Sequence, residues 1–359
     1  MFPVVALCSL ILGDMEIYVT LWPISLTMKT EIYTRFDSRL RRLYREFAGA
    51  PGVSPFCSYG AVRSLWRHAA HTAWLRLRRP ALMAAVESGK VLAMVPLIAD
   101  ISGKKHKMLG DTRGMACADA VFAPGISDDE RRRAAAALAK SLCGHPLALQ
   151  RLPSMSPLAD ALVAEGCSLK RETNCCRIVV SSGFNDWFKS LSRSVRQNIR
   201  TAFNRLERDG VEYELLVGNT PLLARMALDL YCSRQKETYL SGCRLKKSLK
   251  AWQIRHSNAV TSSLCSADEA IHVVLLAGGK VAACMSCLTN AATGGVYSVP
   301  RLAINTDFRF YSPGYVMIHE FLHRATASGR SVTLDLGRGL EKYKLDLAAS
   351  IYRTSDFRH

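Results

Sequence analysis

Two hairpin-like stretches constrain this chain more than any single motif. "LMAAVESGKVLAMVPLI" (82–98) is two apolar runs joined by Ser88-Gly89-Lys90, and "HVVLLAGGKVAACMSCL" (272–288) is two apolar runs joined by Gly278-Gly279-Lys280. Both predict β-hairpins with a glycine turn. Gly89-Lys90-Val91-x-Ala93 aligns with Gly279-Lys280-Val281-x-Ala283, 190 residues on. The order continues in both halves. Residues 127–144 start with Ser127 as N-cap, place acids early and then run Ala-rich, so they predict a helix, with a strand following at 147–152. Residues 312–329 predict a helix and 331–337 a strand. Each half therefore reads as helical region, hairpin, further strand, helix, strand. A shared order at a near-constant offset implies duplication. A mixed sheet with one crossover helix, built twice, is an α/β (α+β) architecture. The join is expected near 180, after "CRIVV" (176–180), giving units 31–180 and 181–359.

The chain has 359 residues, 49% of them hydrophobic and 22% charged, which predicts packed domains and not a disordered chain. Its formal net charge of +18 favours an anionic partner: nucleic acid, a phosphorylated cofactor or a membrane surface. A general preference for arginine would produce the same excess without any partner. Residues 1–30 are apolar but broken by Asp14 and Glu16, and no basic run precedes them. They are expected to be an extension, non-native or disordered, and not a membrane anchor. The 12 cysteines are scattered through apolar runs, which predicts reduced, buried thiols in a cytoplasmic protein. Only Cys284-x-x-Cys287 has metal or redox spacing, with no second pair to complete a site.

Two stretches invite sharper chemistry. His319-Glu320-x-x-His323 has the spacing of zinc peptidases, with Glu341 available as a third ligand. On a helical wheel, however, Met317, Ile318, Phe321, Leu322 and Ala325 form the core face. The two histidines then share one shoulder, Glu320 points further toward solvent, and no metal is expected. "SLSRSVRQNIRTAFNRLERDG" (190–210) is an amphipathic helix with Val195, Ile199, Ala202, Phe203 and Leu206 inward, ended by Gly210. Its arginines fit a solvated face, a DNA-reading helix or a helix presenting Arg to phosphates. No helix-turn-helix partner stands at the right distance, so DNA is not an expected partner.

These stretches, with "DFRFYSPGYVMIHEFLHRATASG" and "VTLDLGRGLEKYK", resemble the FemAB-like branch of the GNAT acyltransferases, and within it the CelD-like acetyltransferases of bacterial polysaccharide biosynthesis. The residues that carry the resemblance are Arg196, Asn198 and Arg200; Asp307, Tyr311, Ser312, Pro313 and Gly314; and Asp335, Gly337, Gly339, Tyr343 and Lys344. Thr201 stands where relatives repeat an Arg, and "LDLAAS" follows Lys344 where they carry basic and aromatic residues. The resemblance covers roughly 31–350. It implies tandem GNAT-like folds, each a mixed, mainly antiparallel sheet flanked by helices; the N-terminal unit, with no Ser-Pro-Gly turn before its Ala-rich helix, is expected to be non-catalytic. It implies acyl transfer from acetyl-CoA or another acyl-CoA to an amine, an amino sugar being one acceptor class. A Fem-type transferase using aminoacyl-tRNA and a non-catalytic scaffold are the alternatives.

By position, the donor pyrophosphate would rest on the helix start at Tyr311, Ser312, Pro313 and Gly314, with Arg309 beside it, where free N–H groups favour anions. Arg196, Gln197, Asn198 and Arg200 would face the acceptor. Asp335 is the candidate base, or else a cap for the Gly337–Gly339 loop. Lys344 would stabilise negative charge or simply be solvated, and Tyr343 would protonate the leaving thiolate or simply pack. Glu237 is an outside candidate, read first as a helix-surface ion pair.

Overall fold

The computed structural model describes residues 9–11, 16–18, 28–73, 77–100, 102, 105–110, 117–181, 183–239, 244–290 and 294–359, and the expected extension (1–30) lies largely outside them. Ser9–Ile11 (β1) and Glu16–Tyr18 (β2) pair with each other. The first half then runs Lys29–Tyr33 (β3), Ser38–Ala48 (α1), a 3₁₀ turn Pro55–Cys57, Tyr59–His71 (α2), Arg78–Glu87 (β4), Lys90–Asp100 (β5), His106–Met108 (β6), Val121–Phe122 (β7), Asp128–Cys143 (α3), Leu147–Pro153 (β8), Pro157–Ala164 (α4) and Ser168–Val180 (β9). The second runs Phe184–Ser190 (α5), Arg193–Arg208 (α6), Tyr213–Gly218 (β10), Pro221–Tyr239 (α7), Arg244–Cys265 (α8), Ala270–Ala277 (β11), Lys280–Thr289 (β12), Val296–Ile304 (β13), a 3₁₀ turn Thr306–Tyr311, Pro313–Thr326 (α9), Val332–Arg338 (β14), Lys342–Asp346 (α10) and Ser350–Arg358 (β15).

The repeat is visible in space. Strand, two helices, hairpin, further strand, helix and strand occur in each half, with α5 and α6 added at the front of the second. Both hairpins turn where the expected residues sit. Ser88 and Gly89, and Gly278 and Gly279, all have positive φ, which a two-residue turn matched to the strand twist requires. The N-cap at Ser127 forms a full capping box with Glu130.

One 13-stranded sheet carries the molecule, in the order β10-β11-β12-β13-β14-β9-β15-β8-β6-β5-β4-β3, with β7 on β5. At its centre the two halves interleave their last strands. β9, from the first half, pairs with β14, while β15, from the second, lies between β9 and β8. One core gathers α1, α2 and α3 on the first half of the sheet and takes in Val260 and Leu264 of α8. A second packs α6 and α9 on the other half, and α7 covers the opposite face there through Leu223 and Ala227.

The cysteine expectation needs one correction. Cys143, ending α3, and Cys167, after α4, are joined in a disulfide, because the two helix ends meet with their Cα atoms 6.4 Å apart. Cys57, Cys117, Cys175, Cys176, Cys265, Cys284 and Cys287 are buried free thiols. Cys284 and Cys287 lie on opposite faces of β12, one in the α7 core and one in the α9 core, because three residues along a strand reverse the side.

Candidate active site

The site begins with a strand pair that separates. β13 and β14 run parallel and pair only through Val296↔Thr333, Tyr297↔Leu334 and Ser298↔Asp335. Beyond that point both strands continue unpaired with each other, to Ile304 and Arg338. The opening is part of a cavity of about 630 Å³, within the range of small-molecule sites. Because the gap passes through the sheet, lining residues come from both faces. Pro313, Gly314, Tyr315 and Ile318 of α9 close one side; Tyr231, Arg234 and Gln235 of α7 and Phe56 of the first-half 3₁₀ turn close the other. Arg309 and Arg338 add positive charge beside Glu341 and Asp335.

The start of α9 fits an anion. Ser312 is left-handed at the N-cap (φ 48°, ψ 52°) and makes no side-chain cap bond, and Pro313 takes the position that needs no donor. A Cβ on Gly314 would come within 3.3 Å of Ile304 Cγ2, so a larger residue there would have to displace that side chain by a few tenths of an ångström. Behind the turn, α6 acts as a brace. Arg205 Nη1 donates to Phe310 O at 2.7 Å and its guanidinium lies 4.3 Å from the Phe310 ring, while Tyr311 OH donates to Asp209 Oδ2 at 3.0 Å. α6 is held by Val195, Ile199, Ala202 and Leu206, its expected inward face, with Phe203 partly buried.

Asp335 is 8% exposed and lines the cavity from the end of the short pairing. Its Oδ1 accepts from Gly337 N at 2.8 Å, so the loop-capping reading holds. Both its oxygens also accept from Tyr352 OH at 2.8 Å. Burial raises its pKa above the ordinary carboxylate value, against those hydrogen bonds and the nearby Arg177 and Lys344 charges. Glu341 moves the other way. Burial alone would raise it, but Lys344 Nζ at 2.9 Å and further local contacts bring it below the ordinary value. Two carboxyls on one cavity thus differ in proton affinity, an arrangement suited to divided acid–base roles. Tyr343 also lines the cavity, and burial first, then the Glu341 charge, keeps its phenol protonated.

The expected site residues separate into two groups. Asp335, Tyr343, Arg309, Ser312, Pro313 and Gly314 come together on the cavity. Lys344 does not line it. Its buried Nζ donates to Arg338 O at 2.7 Å and pairs with Glu341, ordering the loop between them. Tyr311, Arg196, Gln197, Asn198 and Arg200 also lie outside the lining, and Arg196 Nη1 is engaged by the carbonyls of Lys189 and Leu191. Glu237 pairs with Arg234 on α7. Sequence reasoning did not single out Phe56, Tyr231, Arg234, Tyr315 or Tyr352.

The His-Glu-x-x-His helix turns out to be packing. The His319 ring lies between Phe184, Phe188 and Phe203, with centroids 4.8, 5.3 and 5.0 Å away. Its Nδ1 meets Glu320 Oε1 at 3.0 Å. Glu320 therefore differs from the expected solvent-facing position: its side chain is 17% exposed, close to the 16% of His319, because it folds back onto that ring. His319 pulls the Glu320 carboxyl below its ordinary value, mainly through this hydrogen bond. Among the described residues, no three His, Cys, Asp or Glu side chains converge as a metal-ligand group.

Residues 193–345, from α6 to α10, match the family model described as acetyltransferase (GNAT) domain. No curated protein sequence matches the chain. Among solved structures, FemX superposes with a TM-score of 0.58 at 11% identity, covering 91% of this chain and 96% of that one. A tandem GNAT protein from the clavulanic acid biosynthesis pathway gives 0.48 at 11% identity, with coverage of 92% and 98%. The mixed sheet, flanked by helices and built twice, is a tandem GNAT-like fold.

Proposed function

We propose that this chain is an acyl-CoA-dependent N-acyltransferase, acetyl-CoA being the simplest donor, with its site in the second half and an amine, such as that of an amino sugar in polysaccharide biosynthesis, as acceptor. The observation that carries the reading is the uncapped Ser312-Pro313-Gly314 helix start, facing the gap between β13 and β14 inside a region that matches an acetyltransferase family. The donor enters on the α9 side, its phosphates against the helix start and Arg309, and its thioester arm in the gap. The acceptor approaches from the α7 side, past Phe56, Tyr231 and Gln235.

Three groups serve the chemistry. An ammonium acceptor is attracted by Glu341 and reacts only as the free amine, so a proton must leave it. The ammonium first releases one proton to solvent; as the free amine nitrogen then forms its bond to the thioester carbonyl it carries a surplus proton, and Asp335 takes it. A carboxylate has about four acceptor positions, and only two donors reach it here, the Gly337 N–H and the Tyr352 hydroxyl shared between both oxygens, which leaves room for a further hydrogen bond. When the carbon–sulfur bond breaks, the Tyr343 hydroxyl donates a hydrogen bond to the departing thiolate, which draws its proton from solvent. The first half supplies the Phe56 wall and is otherwise a non-catalytic support.

A second reading, a Fem-type aminoacyl-tRNA-dependent transferase, is favoured by the net charge of +18 and by the exposed arginines of α6. Calorimetry separates the two. The proposal expects CoA and acetyl-CoA to bind at micromolar concentration, and Gly314→Trp, which fills the helix start, to abolish binding. Absence of CoA binding, together with tRNA binding that weakens steeply with salt, would favour the second reading. CoA binding unchanged in Gly314→Trp would overturn the donor site.

A further inference from the structure

β15 brings a second group to the base. We propose that Tyr352 is a positioning residue for Asp335, its hydroxyl receiving the Cys117 thiol and donating to the carboxylate, so that the site's proton acceptor is held by the strand that interleaves the two halves. This rests on Asp335 as the proton acceptor of the proposed acyl transfer.

The geometry forms one directed chain. Cys117 Sγ of the first half lies 3.1 Å from Tyr352 OH as its donor, and the Tyr352 hydroxyl lies 2.8 Å from both Asp335 oxygens. A donor that is itself donated to becomes polarised and donates more strongly, most of all in a buried setting. Each link has one direction. Burial first, and then the Asp335 charge, drives the Tyr352 phenol far above its ordinary value, so it remains an O–H. Burial likewise keeps Cys117 a thiol. The position is set by pairing: Tyr352↔Cys175 and Ser350↔Arg177 on β9, and Arg177↔Asp335 on β14, put Tyr352 and Asp335 on the same face of the sheet. Cys117 has φ 58°, a left-handed backbone unusual for a residue with a Cβ. Other charged or titratable groups around Asp335 are Arg177, Cys175 and Cys176 of β9 and Lys344 of α10, with Arg309, Arg338 and Glu341 on the same cavity, and Arg177 also stacks 5.4 Å from the Tyr352 ring.

A hydroxyl that donates to a carboxylate favours its charged form. Removing the hydroxyl therefore makes Asp335 hold its proton to higher pH. The test labels the full chain with aspartate carrying carbon-13 in the carboxyl and follows its carbon resonances against pH. Asp335→Asn identifies the Asp335 signal by its loss. Tyr352→Phe is expected to move the Asp335 midpoint upward by about tenfold in proton affinity. Cys117→Ala is expected to move it the same way by less. Phe357→Leu loosens the same strand, so it is expected to lower the melting temperature and leave the midpoint in place. An unmoved midpoint in Tyr352→Phe, or one moved equally by Phe357→Leu, would overturn the proposal. Acetyl-CoA calorimetry on the same variants keeps the two claims apart. A shifted midpoint in a protein that binds no CoA removes the donor reading alone, whereas normal CoA binding with an unmoved midpoint removes the Tyr352 role alone.

Discussion

A second carboxyl shows how much one buried group controls. Asp119, in the first half, accepts from Ser156 Oγ at 2.7 Å and from Ala120 N at 2.7 Å, and its backbone N–H lies 3.2 Å from Cys57 Sγ, directly behind the Phe56 wall. Burial pushes it up to about 7 from an ordinary 3.8, against both hydrogen bonds. Between those two values the folded chain holds a proton that the unfolded chain has released. Stability is therefore fully present below about pH 4 and is lost as pH rises through about 7, by at most about 4 kcal/mol. Asp119→Asn keeps an acceptor for Ser156 and carries no charge. Urea midpoints at pH 5 and pH 8 should differ less in this variant than in the parent, and equal differences would refute the assignment. At this scale the sequence was a partial guide. Asp335 and Gly314 stand inside short motifs and could be singled out. Asp119 and Tyr352 stand in no motif, since their partners arrive through strand register and through contacts distant in the chain, Ser156 lying 37 residues from Asp119 and Cys117 235 residues from Tyr352.

Among the elements, α6 is where expectation and structure diverge most usefully. Its inward stripe was readable, because a period near 3.6 leaves few alternatives for Val195, Ile199, Ala202 and Leu206. What its arginines do was not, because several partners attract a guanidinium equally well. Arg205 turns out to hold the main chain just before the Tyr311-Ser312 turn, and Arg196 the end of α5. Pre-forming the anion-binding turn lowers the ordering cost of donor binding. Arg205→Ala removes a charged hydrogen bond and a cation–π contact, and is expected to weaken CoA binding about tenfold. Titration calorimetry reads this directly. An unchanged affinity would mean that the turn keeps its shape without α6.

Over the whole molecule the interleaved strands set the behaviour. Cutting the chain at 180 leaves β9 with the first piece and β15 with the second, yet β9 is hydrogen-bonded to β14 and β15 to β8. Each piece alone would then expose a long strand edge, which favours aggregation over a soluble fold. The second piece would also lose the Phe56 wall and Cys117. Each half expressed alone is therefore expected to be aggregated by size-exclusion chromatography, and the two co-expressed to form a soluble complex of native mass. Two separately soluble, monomeric halves would refute this. Gly60 N to Glu269 Oε1 at 3.0 Å and Asn290 Nδ2 to Ala48 O at 2.8 Å fasten the halves away from the sheet as well.

By itself, the sequence determined what depends on neighbours along the chain: the paired hairpins, the capped α3, the amphipathic α6, the Pro-started α9 and the doubling of the whole plan. These follow from turn chemistry, capping and periodicity, which act over a few residues. Tertiary structure alone decided which last strand lies beside which half, where β13 and β14 part, and which groups meet at Asp335. Those outcomes depend on pairing register and on burial against distant elements. The same reason explains the two histidines of α9. Their spacing is a property of any helix, and only the surrounding Phe184, Phe188 and Phe203 rings made the site of His319 a packing site.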